Sequence, residues 1–236
     1  MIAIIEWMEE FKMAFTLNNV VPWGRNINEY RQMFQLDDEC MHKKIADFGG
    51  GPSSFNCEAD RLGYSVTSFD PIYQFSKEDL EQRIEEVRVT VMQQMRENMD
   101  NYVWNNIKSL EELEKIRMSA MQLFLSDYQK GLQEKRYVYH ELPEKLPYMD
   151  DTFDIGLSSH FLLMYTSLGV DFPIKAMTEM LRVCKEIRIF PIVDLDANKT
   201  ELIKNEIDYF KKDYNVEIRQ TEYEFQKGGN KMLVIK

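Results

Sequence analysis

One stretch of about thirty residues limits the folds open to this chain more than any other. A short apolar run, residues 44–48, ends in three glycines and Pro52, and a strand-like run, residues 64–70, follows a helix-length segment closed by Gly63. Proline suits the first turn of a helix, so the helix is expected to begin at Pro52, and glycine commonly ends one. Strand, glycine turn, helix and strand in this order predict a βαβ unit and hence a parallel α/β sheet.

The alternation of strands and helices resumes after a long helical interruption. Residues 76–132 carry apolar residues three and four apart in two runs, with Ser76 and Ser109 at N-cap positions, and predict an inserted helical hairpin that the sheet does not need. Further strands are expected at residues 136–142, 153–161, 186–193, 216–225 and 231–235, and helices at 172–183 and 199–212. An N-terminal helical arm, residues 1–40, is expected to contain helices at 2–15 and 26–34, joined by a loop at 20–25.

The charge and composition of the chain limit which partners it is expected to bind and in which compartment it is expected to lie. With 29 Lys and Arg against 40 Asp and Glu, the net charge of −11 argues against a general nucleic-acid binder. The three cysteines form no CxxC pair, which predicts a reducing, cytoplasmic compartment and no metal site. The first eleven residues lack the basic start of a signal peptide, and no apolar run reaches the ~20 residues that span a bilayer. We therefore expect one domain, residues 1–236, with no membrane partner.

The glycine turn carries the main chemical signal. Asp47 precedes Gly49 and Gly51, and Asp70 ends the second strand 21 residues after Gly49. Glycines allow a ligand to approach the backbone closely, and an acid in this place can bind both hydroxyls of a ribose. These features alone also fit a nicotinamide-binding domain, or a tight turn with an aspartate cap.

A run before the fourth strand separates these alternatives. Residues 146–154 read LPYMDDTFD, and together with Asp47-x-Gly49-x-Gly51 and Asp70 they resemble three ordered motifs of the class I S-adenosylmethionine-dependent methyltransferases. The resemblance covers about residues 41–73 and 136–236. It implies a Rossmann-like, doubly wound α/β sheet of seven strands in the order 3-2-1-4-5-7-6, with the last strand antiparallel.

The resemblance also implies a cofactor, S-adenosyl-L-methionine, and a set of residues that bind it. Gly49 and Gly51 would lie under its methionine portion, Asp70 would hold the ribose, and Asp47 would accept from the ammonium group. Glu141 and Leu142 stand where many members place an adenine-binding aspartate. The remaining predicted cofactor contacts are Arg25, Pro71 and Ser158.

His160, at the end of the fourth strand, is the candidate general base, with a pocket-lining histidine as the alternative. Tyr165 is a weaker candidate for the same pocket. The hairpin is expected to line the acceptor site, or else to form a dimer contact. Its apolar candidates are Met95, Met99, Tyr102, Met121, Phe124 and Tyr128.

The function predicted from these features is methyl transfer by direct displacement, with a small molecule as the most favoured acceptor. Three alternatives stay open: a peptide or protein acceptor, a non-catalytic cofactor-binding regulator or scaffold, and, more distantly, a nicotinamide-dependent oxidoreductase. A homodimer is compatible with the sequence. The sequence specifies neither the acceptor nor its methylated atom.

Overall fold

The structure is a computed structural model that describes residues 23–165, 171–195 and 200–236. The helix expected at residues 2–15 and the start of the loop at 20–25 lie outside the described residues. In chain order the elements are α1 Ile27–Phe34, α2 Asp38–Met41, β1 Ile45–Phe48, α3 Phe55–Arg61, β2 Val66–Phe69, α4 Lys77–Glu97, α5 Leu110–Gln133, β3 Tyr137–Val138, β4 Phe153–Ser159, α6 Asp171–Val183, β5 Cys184–Phe190, α7 Glu201–Phe210, β6 Val216–Gln220 and β7 Lys231–Ile235.

The seven strands form one sheet in the order β3-β2-β1-β4-β5-β7-β6. β1 to β5 pair in parallel, whereas β7 is antiparallel to both of its neighbours, β5 and β6. The predicted fold is therefore confirmed. The strand order reverses between β1 and β4, and in such sheets ligands bind outside the carboxyl ends of the strands at this point.

Apolar side chains cover both faces of the sheet. On one face α6 and α7 contribute Met177, Met180 and Ile207 to a cluster with strand residues. On the other face α1 and α3 contribute Phe34 and Phe55 to a second cluster. Helices on both faces are what the alternation of strands and helices predicts.

The inserted segment forms the predicted hairpin, in which α4 and α5 lie antiparallel. Ser76 and Asp79 make a full capping box at the start of α4, and Ser109 caps α5 by accepting from the amide of Glu112. α4 and α5 also pack, in a third cluster, with Tyr73 of the turn after β2 and Tyr137 of β3. The hairpin thus belongs to a hydrophobic cluster of the molecule, and the expectation that the sheet does not need it stays a prediction.

Several boundaries differ from the sequence predictions, most of all the strand expected at 136–142, which covers only Tyr137–Val138. Two of the differences have identifiable reasons. α3 begins at Phe55, rather than at Pro52, because the amide of Ser54 donates to the carbonyl of Arg25 and the hydroxyl of Ser53 accepts from the amide of Phe55. β6 ends at Gln220, not at residue 225, because the chain then turns away to the hairpin. There the amide of Val103 donates to the carbonyl of Phe225 at 2.7 Å.

The described residues include neither a membrane-spanning helix nor a metal-binding cluster. Among residues 23–165, 171–195 and 200–236, no helix combines the length and apolar character needed to cross a bilayer. Within those same ranges, no group of three or more His, Cys, Asp and Glu side chains is arranged to hold a metal ion.

Candidate functional site

The glycine loop that follows β1 has the backbone conformation that its glycines permit. Gly49 has φ +69° and Gly51 has φ +56°, both in the left-handed region that favours glycine. The hydroxyl of Tyr73 donates to the carbonyl of Gly51 at 2.9 Å and holds the loop from the β2 side. A Cβ built on Gly51 would meet no atom within 4 Å, whereas one on Gly49 would lie 2.7 Å from the ring of Phe161. The loop therefore opens to free space at Gly51.

The carboxylate of Asp70 lies beside this loop, at the carboxyl end of β2. Its Oδ2 accepts from the amide of Gly51 and its Oδ1 from the amide of Ile72, both at 2.9 Å. Burial raises the pKa of Asp70 to about 6, against the opposing effect of the two amide donors. The side chain is only 8% exposed, and each oxygen retains a lone pair for a further donor.

Asp47, at the end of β1, is the second buried acid of the loop. Its Oδ1 accepts from the hydroxyl of Tyr30 and its Oδ2 from that of Ser68, each at 3.1 Å. Burial, with a smaller contribution from the charge of Asp70, raises the pKa of Asp47 to about 7. The site thus contains two carboxyl groups that exchange protons near neutral pH.

Residues 23–25 lie against the glycine loop. The carbonyl of Arg25 accepts from the hydroxyl of Ser53 at 2.7 Å and from the amide of Ser54 at 3.0 Å. A Cβ added to Gly24 would lie 2.1 Å from the carbonyl oxygen of Pro52. Only glycine fits this contact, so Gly24 determines how closely residues 23–25 approach the glycine loop.

His160 follows β4 with φ +53°, which is an uncommon conformation for a residue other than glycine. Its amide donates to the carbonyl of Phe190 at 2.6 Å, and its Nδ1 shares a hydrogen bond of 2.9 Å with the hydroxyl of Ser159. Burial holds the pKa of His160 well below its ordinary value, and the positive charges of Arg25 and Arg117 lower it further. The imidazole is therefore neutral at physiological pH, and the same two effects make it a weaker proton acceptor than an exposed histidine.

The other residues predicted to lie at the site differ in their burial and in their contacts. Pro71 is exposed as the first residue of a 3₁₀ turn, Glu141 is exposed, and Leu142 is buried before a cis proline. Ser158 is fully buried, and its hydroxyl has no hydrogen-bond partner in the part of the chain that the structure describes. Across the described ranges, no hydrogen bond joins Glu141 or Leu142 to the glycine loop or to Asp70. Tyr165 is 6% exposed.

The hairpin side chains expected to line an acceptor site do not share one pocket. Met121, Phe124 and Tyr128 are 0% exposed and pack in the third cluster, against Tyr73 and Tyr137. Met95 and Tyr102 are half-buried against the second cluster, and Met99 is 40% exposed. The prediction that these residues together line the acceptor site is wrong, because the apolar stripes that suggested it fill the core instead.

Sequence reasoning missed a buried polar cluster beside the site. Arg117 of α5, 1% exposed, donates from Nη1 to both oxygens of Glu29, at 2.6 and 2.5 Å. The hydroxyl of Tyr223 donates to Glu29 at 2.9 Å and accepts from Arg117 Nη2 at 3.2 Å. The available signal was an arginine in the apolar stripe of α5, between Leu113 and Met121.

Comparisons with solved structures found distant likenesses. The crystal structure of the PH0226 protein from Pyrococcus horikoshii matches with a TM-score of 0.48 and 10% identity, over 88% of each chain. The TehB-like SAM-dependent methyltransferase from Corynebacterium glutamicum matches with a TM-score of 0.48 and 14% identity, over 98% of this chain and 96% of that one. Likenesses at this distance assign no function.

Comparisons of sequence give a closer relative. No protein-family model matches the chain. The uncharacterized protein MJ0045 of Methanocaldococcus jannaschii is 38% identical over 222 residues, which are 93% of this chain and 97% of the relative. The chain, whose seven strands follow the order β3-β2-β1-β4-β5-β7-β6, therefore belongs to the same protein family as MJ0045.

Proposed function

We propose that the protein is an S-adenosyl-L-methionine-dependent methyltransferase that acts on a small-molecule acceptor. The observation that carries this proposal is the contact between the glycine loop and Asp70. Both lie at the carboxyl ends of the strands, near the point where the strand order reverses. The amide of Gly51 and the carboxylate of Asp70 are hydrogen-bonded at 2.9 Å, so loop and acid form one unit. A ribose-binding acid next to a glycine-lined backbone suits a nucleoside cofactor.

The residues present fit this cofactor. Space is open at Gly51, where a side chain would intrude, and the two oxygens of Asp70 can each accept from one ribose hydroxyl. Asp47, with its pKa near 7, can accept from an ammonium group once it is ionised. Arg25, Pro71, Glu141, Leu142 and Ser158 remain predicted contacts.

The protein's own part in such a reaction is alignment and proton transfer. When bound, the cofactor supplies a methyl group already activated by its sulfonium charge, so that positioning accounts for much of the catalysis. The neutral imidazole of His160 would take a proton from a hydroxyl or amine acceptor at Nε2, in the tautomer whose Nδ1 proton is donated to the hydroxyl of Ser159. A carboxylate or thiolate acceptor needs no base.

Binding and turnover test the proposal separately. Calorimetry of the protein with S-adenosylhomocysteine should show binding, whereas NAD should show none. Transfer of a labelled methyl group is then measured with a panel of phenols, amines, thiols and carboxylic acids. Asp38→Asn is a matched control, because that aspartate is 81% exposed and pairs only with Arg31 in the described structure.

The outcomes distinguish the competing functions. Binding of NAD in place of S-adenosylhomocysteine would favour an oxidoreductase and end the methyltransferase proposal. Cofactor binding without transfer to any acceptor, peptides included, would favour the regulatory or scaffold alternative.

A further inference from the structure

The outer edge of β6 is open in the described sheet. In that sheet β6 comes last in the strand order, and it pairs with β7. The amides of Asn215 and Lys236 donate to each other's carbonyls, at 2.8 and 3.0 Å, which fixes the phase of this pairing. Because hydrogen-bonding directions alternate along a strand, the amides and carbonyls of Val216, Ile218 and Gln220 point away from β7. A row of this kind is a template for a further strand.

The side chain at the centre of this edge is apolar. Side chains alternate between the two faces of a strand, so Val216, Ile218 and Gln220 share one face. Val216 packs against the cluster beneath α6 and α7, whereas Ile218 is 51% exposed. Tyr209 and Tyr214 are exposed shortly before the strand. Natural edge strands often carry lysine or proline where pairing has to be prevented, and the isoleucine in this place favours pairing instead.

The other face of β6 carries one charge of each sign. Oε2 of Glu217 accepts from Nε and Nη2 of Arg219, at 2.8 and 2.5 Å. If two copies of β6 lie antiparallel about a two-fold axis through Ile218, Glu217 of each copy lies directly opposite Arg219 of the other. Opposite charges in this position stabilise a pair of strands, and like charges destabilise it. An axis through Glu217 or Arg219 would place like charges against each other, so the charges select the axis through Ile218.

The backbone groups of the edge fit the same arrangement. With the axis at Ile218, the two copies of Ile218 exchange both of their backbone hydrogen bonds, and Val216 of each copy faces Gln220 of the other. The carbonyl of Gln220 already accepts from Nε2 of Gln35 at 2.7 Å, and its second lone pair remains for a further donor. The strand is therefore complementary to itself in its backbone, its apolar side chain and its charges.

We propose that the protein forms a homodimer in which the β6 strands of two copies pair antiparallel about a two-fold axis through Ile218, so that both sheets join into one. The partner is a second copy of this chain because the edge is complementary to itself. Three strands separate β6 from β1, so the dimer leaves the glycine loop of each copy uncovered by the other's β6. The inference does not depend on the proposed function.

The test measures the dissociation constant of the dimer by sedimentation equilibrium of the full chain. Ile218→Lys should raise this constant about tenfold or more, because the two lysines would lie opposite each other at the axis. Val89→Lys is the matched control and should leave it unchanged, since Val89 lies on α4 and is 62% exposed. Thermal unfolding of both variants verifies that they fold, as expected for exposed positions.

Reversal of the charges tests the register. Glu217→Arg and Arg219→Glu, made singly, should each raise the dissociation constant about fivefold or more, because the symmetry places two pairs of like charges in the interface. The combined variant Glu217→Arg/Arg219→Glu restores opposite charges across the axis. Its dissociation constant should return to within about threefold of the parent value.

Cross-linking gives an independent measurement. In this register the two Cα atoms at position 218 lie about 5.5 Å apart, within the range of a disulfide. Mild oxidation of Ile218→Cys with copper phenanthroline should therefore yield a covalent dimer, whereas Val89→Cys should not, and the natural Cys40, Cys57 and Cys184 are buried. A parent protein that stays monomeric at every concentration would overturn the inference. A dimer that Ile218→Lys does not weaken, a combined charge reversal that is as weak as the single ones, or equal cross-linking of the two cysteine variants would overturn it as well.

Discussion

Replacing Asp70 by alanine should separate cofactor affinity from stability. Under the proposed function the carboxylate would accept from two ribose hydroxyls, and each charge-assisted hydrogen bond is worth about 1.5–3 kcal/mol. Loss of both corresponds to about 3–6 kcal/mol, so the affinity for S-adenosylhomocysteine should fall by on the order of a hundredfold or more.

Stability should change little, because two effects oppose each other. The variant loses the acceptor for the amides of Gly51 and Ile72, a loss of the size of a missing N-cap, about 1–2 kcal/mol. It also loses a buried carboxylate whose pKa is raised to about 6. Since the folded pKa is the higher one, the cost of ionising Asp70 is absent below about pH 4 and is about 3 kcal/mol above pH 6. At pH 7.5 the second effect exceeds the first by about 1–2 kcal/mol, which shifts Tm by only a few degrees in a chain of this length.

Calorimetry and thermal unfolding at pH 7.5 measure both quantities. The expected result is weak or absent cofactor binding with a Tm within a few degrees of the parent, while Asp38→Ala changes neither. The reasoning is refuted if Asp70→Ala lowers Tm clearly and leaves the dissociation constant unchanged. In that case Asp70 only caps the strand end.

Three further predictions follow from the same contacts. Affinity for S-adenosylhomocysteine should rise from pH 5.5 to 8, with protons released on binding. The reason is that Asp70 and Asp47 have pKa values of about 6 and 7 and would bind the cofactor as carboxylates. An affinity that is constant with pH would contradict this. Arg117→Met should lower the free energy of unfolding in urea by about 3–5 kcal/mol, because it leaves Glu29 buried and unpaired, and a loss below 1 kcal/mol would contradict this. Gly24→Ala should destabilise by about 1–3 kcal/mol, since its Cβ would lie 2.1 Å from a backbone oxygen of the glycine loop; an unchanged Tm would show that the loop adapts freely.

The elements with strong local signals could be predicted from the sequence. β7 was placed with its correct bounds, and α1, β1 and β2 were correct to within one or two residues, because apolar periodicity and turn residues mark them. The glycine turn was placed correctly between β1 and α3, although the sequence did not show which of its glycines adopt the left-handed conformation found at Gly49 and Gly51. The capping box at Ser76 was equally local.

Features that depend on contacts between residues far apart in the sequence could not be predicted. Glu29, Arg117 and Tyr223 are separated by 88 and 106 residues, and no local pattern shows that they meet. The same limit explains why the apolar hairpin residues were assigned to a pocket. A stripe of Met and aromatic residues looks alike whether it faces a ligand or, as with Phe124, the ring of Tyr137.

The position of β7 within the sheet has a consequence for synthesis of the chain. β6 is made before β7, yet in the described sheet β6 pairs with β7 alone, so it has no neighbour when it leaves the ribosome. Until β7 is available, β5 presents an open row of amides and carbonyls, which is a template for pairing with another chain. A nascent chain stalled at residue 230 would expose that edge. A chaperone that binds this incomplete chain would prevent aggregation through the exposed edge, whereas the finished protein no longer exposes it.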